Sequence, residues 1–199
     1  MSAALRDRVR AACIEALKRH GFVEIRKGWP SKYINDDFSC WVGLNTGVYA
    51  GSVSLSPFVG VHAQKLDRRI AQFCADKKLK YDCRNASYAI HMGEIAPYEP
   101  VFDFFDGDDI SEDAARLAKL YAEVGFPFSQ SIASNEALLP LLYERVDMLG
   151  GYPERYAVCL DELGRRNEAI AYVTKIGEEW EHLRPFCQNF LEFYRTTTS

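Results

Sequence analysis

The sequence lacks the short motifs by which many enzymes and cofactor-binding proteins are recognised. Its 199 residues contain no GxSxG, P-loop, GxGxxG or HExxH pattern. The four histidines stand far from one another, and the six cysteines form no CxxC pair. A zinc site built from neighbouring ligands is therefore excluded. We predict no cofactor and no bound metal, and the sequence favours a protein that is not an enzyme.

Long apolar stretches are also missing. The first eight residues do not form the hydrophobic part of a signal peptide, and no apolar run is long enough to cross a bilayer. These absences predict a cytoplasmic protein with no membrane partner. Because thiols stay reduced in that compartment, we predict that all six cysteines are unpaired. They stand at positions 13, 40, 74, 83, 159 and 187.

Charge is distributed unevenly along a chain of otherwise ordinary globular composition. Hydrophobic residues make up 48% and charged residues 26%, a composition that disfavours intrinsic disorder. Residues 1–93 contain 15 Lys and Arg against 8 Asp and Glu, whereas residues 94–199 contain 9 against 20. A nucleic-acid partner is disfavoured because phosphate neutralisation needs a basic surface. The acidic second half instead favours a protein partner of basic character.

The periodicity of apolar residues predicts where helices and strands lie. Helical spacing over residues 3–20 predicts a helix that ends at Gly21, and the same spacing over residues 63–78 predicts a second helix. Extended segments are predicted at 22–26, 38–44, 48–61, 86–95 and 101–105, with a loop at 27–37 and a turn at 45–47. Within the third strand, strict alternation predicts that Val53 and Leu55 point into the core and the neighbouring serines point away.

From residue 111 onward the pattern is entirely helical. Ser111 is the predicted N-cap of the first of these helices, and Gly125 its predicted end. Pro140 and Pro153 are each predicted to open a helix at its first position. Residues 156–170 predict two helices around a tight turn, and residues 183–194 predict the last helix.

The order of these elements predicts the fold class and the domain organisation. Because strands and helices are segregated along the chain, we predict an α+β fold. It would have an antiparallel sheet of about five strands, an N-terminal helix and a helical C-terminal half that ends in a helical hairpin. The predicted sheet domain covers residues 1–133, and residues 134–199 form a helical extension packed on it. A single domain of 1–199 is the alternative.

The most prominent polar feature is an acidic stretch at residues 94–113, which has eight acids and no base. Its spacing fails the EF-hand template, because position 3 counted from Asp103 is Phe105 and position 5 counted from Asp106 is Ile110. The acids could instead complete a turn and a helix N-terminus, or they could form a surface that attracts a partner. We predict partner binding by Asp103, Asp106, Asp108, Asp109, Glu112 and Asp113.

Aromatic residues bracket the predicted loop. Trp29, Tyr33 and Trp41 could anchor an interface or could tether the loop to the sheet, and both interpretations stay open. Trp29 and Tyr33 are included in the predicted partner-binding set.

One histidine in a predicted strand raises the possibility of acid–base chemistry. His91 lies three residues before Glu94. An odd separation in a strand places two side chains on opposite faces, so we expect no acid–base pair between them.

Four segments carry a resemblance to known families: residues 38–45 (FSCWVGLN), 53–61 (VSLSPFVGV), 91–97 (HMGEIAP) and 125–128 (GFPF). Together they resemble bacterial α+β domains of unknown function, including families similar to the immunity proteins of polymorphic toxin systems. The resemblance implies a non-enzymatic protein that binds and neutralises a toxin or another protein partner, and it assigns no functional residue. Residues 163–170 are similar to the turn of a tetratricopeptide repeat, but only one such unit is present.

An alternative function remains open at this stage. Residues far apart in the sequence could assemble an enzyme active site or a small-ligand site. A deep pocket with convergent polar groups would favour that alternative, whereas a shallow acidic surface with exposed aromatic residues would favour partner binding. The oligomeric state is not indicated by the sequence.

Overall fold

The computed structural model describes residues 2–26, 28–74, 85–98, 101–148 and 151–197. The chain divides into two compact units. Met1–His62 and Ala89–Ala133 form the first, which we call the sheet unit; Ala63–Tyr88 and Ser134–Ser199 form the second, the helical unit. One boundary coincides with the predicted division after residue 133, but the helix after residue 63 groups with the C-terminal helices. The predicted packing of residues 134–199 on the sheet stays a prediction.

The sheet unit contains a long N-terminal helix, the strands and two later helices. Its elements are α1 (Ser2–Lys18), β1 (Val23–Arg26), β2 (Trp29–Tyr33), β3 (Phe38–Tyr49), β4 (Ser52–Ala63), β5 (Tyr88–His91), β6 (Phe102–Phe105), α3 (Ile110–Leu120) and α4 (Phe126–Ser131). In the described part of the chain, six strands form one sheet in the order β1-β2-β3-β4-β5, and β6 also pairs with β4. The predicted α+β class with an antiparallel sheet is confirmed.

The N-terminal helix ends where the sequence predicts. Gly21 adopts a positive φ of 80°. Its N–H donates to the carbonyl of Lys18, and the N–H of Phe22 donates to the carbonyl of Leu17. This pair of bonds is the Schellman arrangement, which needs a left-handed residue and therefore favours glycine. It turns the chain directly from α1 into β1.

The predicted loop at residues 27–37 is wrong, because its first half forms β2. The strand pairs antiparallel with β1 and with β3, and Ser31 lies opposite Trp41. Gly28, with a φ of 83°, makes the tight connection, and Pro30 lies where the β1–β2 register shifts between Glu24 and Arg26. A bulge tolerates a residue without an N–H. Pairing with neighbouring strands therefore overrode the local loop composition.

The predicted turn at residues 45–47 is also wrong. Those residues lie inside β3, and the connection to β4 is made at Ala50 and Gly51. Gly51 has a φ of 81°, which a tight turn requires. In β4 the predicted alternation is confirmed, because Val53 and Leu55 are fully buried while the flanking serines are partly exposed.

Gly125 does not end a helix as predicted. A turn of π-helix, Tyr121–Gly125, joins α3 to α4, so the segment Phe126-Pro-Phe is helical. Gly125 has an ordinary helical φ of −65°. A Cβ at this position would lie 3.0 Å from Met92 Cε and 3.1 Å from Val59 Cγ2. Close packing, and not backbone conformation, explains this glycine.

The helical unit is built from α2 and four C-terminal helices. They are α2 (Gln64–Phe73), α5 (Asn135–Glu144), α6 (Pro153–Glu162), α7 (Arg166–Glu179) and α8 (Arg184–Thr197). The predicted helical turn between α6 and α7 is confirmed, with Gly164 at a φ of 73°. Residues 75–78 of the predicted second helix lie outside the described residues.

Two predictions about prolines had different outcomes. Pro153 opens α6 at its first position, as predicted. Pro140 was expected to do the same for its helix, but it lies inside α5, which begins after an N-cap at Ser134. The hydroxyl of Ser134 accepts the N–H of Ala137 at 3.2 Å. Pro140 is exposed, so water can bond the carbonyl of Glu136 that loses its helical donor.

Candidate partner-binding surface

The acidic stretch begins on β6, a strand that alternates between core and surface. Phe102 and Phe104 are buried, whereas Asp103 and Phe105 are exposed. The register places Asp103 opposite Ser54 of β4. Apolar and acidic side chains therefore lie beside each other on the exposed side of β6.

The loop after β6 is fastened to two other elements. The backbone N–H of Asp106 donates to the carbonyl of Gly51 at 3.0 Å, at the turn between β3 and β4. The Asp106 carboxylate accepts from Arg8 of α1 at 3.2 Å. Gly107 follows with a φ of 102°, a conformation that favours glycine. Asp106 is therefore partly neutralised and also serves to position the loop.

Asp109 is the N-cap of α3, so the prediction of Ser111 in that role is wrong. Asp109 Oδ1 accepts the backbone N–H of Ser111 at 2.9 Å and its hydroxyl at 2.6 Å. Both hydrogen bonds lower the pKa of Asp109 below its ordinary value, and the bond from the Ser111 hydroxyl has the larger effect. A carboxylate accepts more strongly from the helix N–H groups than a hydroxyl does, which explains the shift of the cap by two residues.

The remaining acids differ in whether a base stands beside them. Asp113 accepts from Arg116 at 2.9 Å within α3. In the part of the chain that the structure describes, Asp103, Asp108 and Glu112 form no ion pair, and all three are exposed. We use the name acidic surface for Asp103, Asp106, Asp108, Asp109, Glu112 and Asp113. Three of its six carboxylates thus retain an uncompensated negative charge.

The acidic surface is shallow. A depression of about 460 Å³ lies between α1 and the start of α3. It is lined by Arg8, Ala12, Gly107, Asp108, Asp109, Ile110 and Ser111. Apart from Ala12 and Ile110 its lining is polar or glycine, so it does not resemble the mostly apolar site that encloses a small molecule.

One exposed apolar residue, Phe105, lies at the acidic surface and was not among the predicted partner-binding residues. Phe105 is 53% exposed and Tyr49, at the end of β3, is 61% exposed. The turn at Gly51 brings the end of β3 to the loop after β6, because the Asp106 N–H bonds there. The alternation of Phe and Asp in β6 was a signal for Phe105. The ring of Tyr49 lies over Gly47 of its own strand, where a Cβ would be 3.1 Å from the Tyr49 hydroxyl.

Trp29 and Tyr33 lie elsewhere on the sheet. Both are on β2, with 36% and 60% of their surface exposed. In the sheet order β3 and β4 stand between β2 and β6. Three strand spacings amount to roughly 14 Å. The structure therefore does not bring these two aromatic residues together with the acidic surface.

The ring of Trp41 packs along its own strand. A Cβ at Gly43 would lie 2.5 Å from the Trp41 ring, so the ring lies directly across the glycine. Only a residue without a side chain leaves room for this contact. Because the contact lies within β3, both interpretations of Trp41 stay predictions.

His91 forms a contact that resembles a catalytic pair but has the wrong proton arrangement. Its Nε2 lies 2.8 Å from Ser56 Oγ, and its Nδ1 accepts the backbone N–H of Gly93 at 3.0 Å. In the neutral ring the proton is therefore on Nε2, which donates to the serine. A base that activates serine must instead accept its proton. The arrangement holds the backbone and does not prepare a nucleophile.

Glu94 does not orient the His91 ring. Its carboxylate accepts the backbone N–H of His91 at 3.0 Å. The argument from strand alternation does not apply here, because Met92–Glu94 is a turn of 3₁₀-helix. Reciprocal capping of this turn accounts for both residues.

The described cysteines are free and buried, which confirms the prediction of unpaired thiols for Cys13, Cys40, Cys74, Cys159 and Cys187. Burial raises the pKa of the first four to about 12 and that of Cys187 to about 11. A nucleophilic cysteine needs a lowered pKa. These five are therefore unsuited to thiolate catalysis. Cys83 lies outside the described residues.

The described residues offer neither a metal-binding cluster nor a membrane-spanning helix. Across the described ranges, no three His, Cys, Asp or Glu residues are grouped so that they could hold a metal ion. None of the described helices is both long and apolar enough to cross a membrane. No family model matches the chain, and neither a curated protein nor a solved structure matches it.

Proposed function

We propose that this chain is a non-enzymatic protein that binds a basic protein partner through the acidic surface. The observation that carries the proposal is the position of Asp103 and Asp108, which lack ion pairs in the described structure, beside the exposed ring of Phe105. Following the resemblance to immunity proteins, we propose that binding neutralises a toxin. We also propose that this takes place in the bacterial cytoplasm, which the unpaired thiols support.

Two physical effects would act together in such a surface. Uncompensated carboxylates create a negative potential that steers a basic partner and speeds association. The exposed aromatic ring at the same place supplies contact area that holds the partner once it has arrived. A cation of the partner could also lie against the ring of Phe105.

The structure changes which acids should be neutralised in a test. Asp106 pairs with Arg8 and Asp109 caps α3, so changing either would disturb the fold. The informative variant is Asp103→Asn, Asp108→Asn and Glu112→Gln combined. A matched control is Glu144→Gln, Glu162→Gln and Glu178→Gln combined. These control acids are exposed, form no ion pair in the described structure and lie on the helical unit.

The experiment captures proteins from the native cell with each form as bait, followed by quantitative mass spectrometry. We expect one partner to be retained by the wild type and the control and to be lost by the acid variant at low salt. With the purified partner, the acid variant should associate at least about fivefold more slowly at low salt, and the difference should shrink as salt screens the charges. An association rate that is equal for all three forms would contradict the proposal.

A further inference from the structure

The outer edge of β6 leaves main-chain hydrogen-bonding groups without a strand partner in the described structure. The bond from the Asp106 N–H to the Gly51 carbonyl belongs to the same register that pairs Phe105 with Ser52. Bonded and non-bonded pairs alternate in an antiparallel ladder. The main-chain groups of Phe102 and Phe104 therefore bond to β4. The N–H and carbonyl of Asp103 and the N–H of Phe105 point away from β4.

The side chains along this edge are also accessible. Asp103 and Phe105 are exposed on the same face, and Val101, just before the strand, is 44% exposed. The Phe105 carbonyl is used within the chain, since it accepts the N–H of Asp108 at 3.3 Å. What remains open is a short ladder of three main-chain groups with an acidic and an aromatic side chain beside it.

The opposite edge of the sheet is different. There β1 has four residues, and its register with β2 shifts between Glu24 and Arg26. A bulge twists a strand and disfavours addition of another strand. The Glu24 carboxylate is moreover occupied by the N–H of Gly28. The β6 edge shows no register shift over its four pairs with β4.

We propose that the β6 edge binds an extended, basic segment of the partner, which adds to the sheet as a further strand. This inference rests on the proposed function and specifies how the partner would be held. Main-chain bonds to Asp103 and Phe105 would supply part of the affinity, as in other cases of strand addition. A basic residue opposite Asp103 would lie on the same face as its carboxylate, and charge complementarity selects such a segment over an acidic one.

The probe is the peptide acetyl-(Lys-Val)₃-amide, titrated into the full chain at low salt while backbone amide resonances are recorded. Three further peptides serve as controls. Two have the same sequence with N-methyl groups on one or the other set of alternate residues, which removes the main-chain donors on one edge, and the third is acetyl-(Glu-Val)₃-amide. We expect the largest amide shifts at Asp103 and Phe105. Only one of the two sets of alternate N–H groups would face β6. The peptide methylated on that set should therefore bind at least about tenfold more weakly than the parent peptide.

Two substitutions at one position separate main-chain bonding from charge. Asp103→Pro removes a donor that faces away from β4, so the ladder with β4 keeps its bonds, and proline is tolerated at sheet edges. Asp103→Asn removes the charge and keeps the donor. We expect at least about fivefold weaker binding for Asp103→Pro at all salt concentrations. For Asp103→Asn we expect a loss of about twofold to fivefold at low salt that disappears at high salt.

The inference is overturned if the unmethylated peptide does not bind at millimolar concentration, or if both methylated forms bind as well as the parent. Equal binding of the Asp103→Pro variant and the wild type would also overturn it. The peptide comparison uses the wild-type chain, so it remains decisive if the proline variant fails to fold. The capture experiment with the three-acid variant tests the proposed function separately, and that proposal can stand when strand addition fails.

Discussion

The two units of the molecule join their elements by different polar contacts. In the sheet unit, helix side chains bond to strand carbonyls. The Tyr121 hydroxyl lies 2.9 Å from the carbonyls of both Gly43 and Phe58, and Ser129 donates to the Gly60 carbonyl at 2.8 Å. The charged side chain of Arg10 on α1 likewise donates to a strand carbonyl, that of Leu44 on β3, at 2.8 Å.

In the helical unit, the most deeply buried polar contact between helices runs from side chain to side chain, besides bonds from Asn189 to the Phe73 carbonyl at 2.7 Å and from Cys159 to the Asn135 carbonyl at 3.3 Å. Asp67 of α2 and Arg155 of α6 are 1% and 2% exposed and lie 4.0 Å apart, from Nε to Oδ1. Ser87 donates to the Asp67 carboxylate at 2.8 Å and accepts the N–H of Ala63 at 2.7 Å. Nearby, Phe73 packs on three phenylalanines of α8 with ring centroids 4.9 to 5.9 Å away.

The difference follows from how each element uses its backbone. Each carbonyl oxygen of a strand has a second lone pair, which a helix side chain can reach across the layer. A helix occupies its own carbonyls internally except at its end. Away from the helix ends, two helices that share a buried polar contact therefore mostly supply both partners from side chains, and a buried charge then depends on its counter-charge.

The strongest test of this comparison is removal of one buried charge in the helical unit. Arg155→Met should lower the free energy of unfolding by about 3–5 kcal/mol, because the buried Asp67 carboxylate would lose a buried counter-charge. Chemical denaturation followed by circular dichroism measures this.

A double variant supplies the control. Asp67→Leu combined with Arg155→Met leaves no charge buried and should be closer to the wild type than the single variant. A double variant that is less stable than the single one would show that the pair contributes more than charge compensation.

Next in size is the core of the sheet unit. Leu55→Ala should cost about 2–5 kcal/mol, because Leu55 is fully buried. The neighbouring Ser54→Ala should change stability by no more than about 0.5 kcal/mol, since Ser54 lies on the other face of β4. Equal losses in urea denaturation would refute the one-sided burial of β4.

The smallest effect comes from removing one hydroxyl in each unit. Tyr121→Phe should cost about 1–3 kcal/mol, because two buried carbonyls lose a shared donor. Tyr172 of α7 has a buried hydroxyl with no hydrogen-bond partner in the described structure. Tyr172→Phe should therefore leave the free energy of unfolding unchanged or raise it, as measured by urea denaturation of both variants. A loss at Tyr172 as large as that at Tyr121 would mean that burial of the ring, not the hydroxyl bond, governs both sites.

Elements with strong local signals were predicted correctly. The end of α1 follows from a glycine that can take a positive φ, and the buried face of β4 follows from strict alternation. The predictions failed where a partner elsewhere in the chain overrides local composition. Residues 29–33 have the composition of a loop, yet β1 and β3 provide hydrogen bonds on both sides. Gly125 looks like a helix terminator, yet it is a glycine because Met92 and Val59 approach it.

The candidate site shows the same division. The acids on β6 and in the following loop are contiguous in the sequence, so their presence on one surface could be predicted. Which of them remain uncompensated could not, because Arg8 lies about a hundred positions from Asp106. The bond between the loop after β6 and Gly51 could not be predicted from the sequence either, since the actual turn is at Gly51 and not at residues 45–47.

The sequence by itself determined the fold class, the buried face of β4, the helical nature of the C-terminal half and the acidic character of residues 94–113. These depend on periodicity, on glycine conformation and on composition, which act over a few residues. Tertiary structure alone decided that residues 29–33 form a strand, which carboxylates keep their charge uncompensated and which edge of β6 stays open. Those features depend on pairing between distant segments, and no local pattern encodes the register in which distant segments meet.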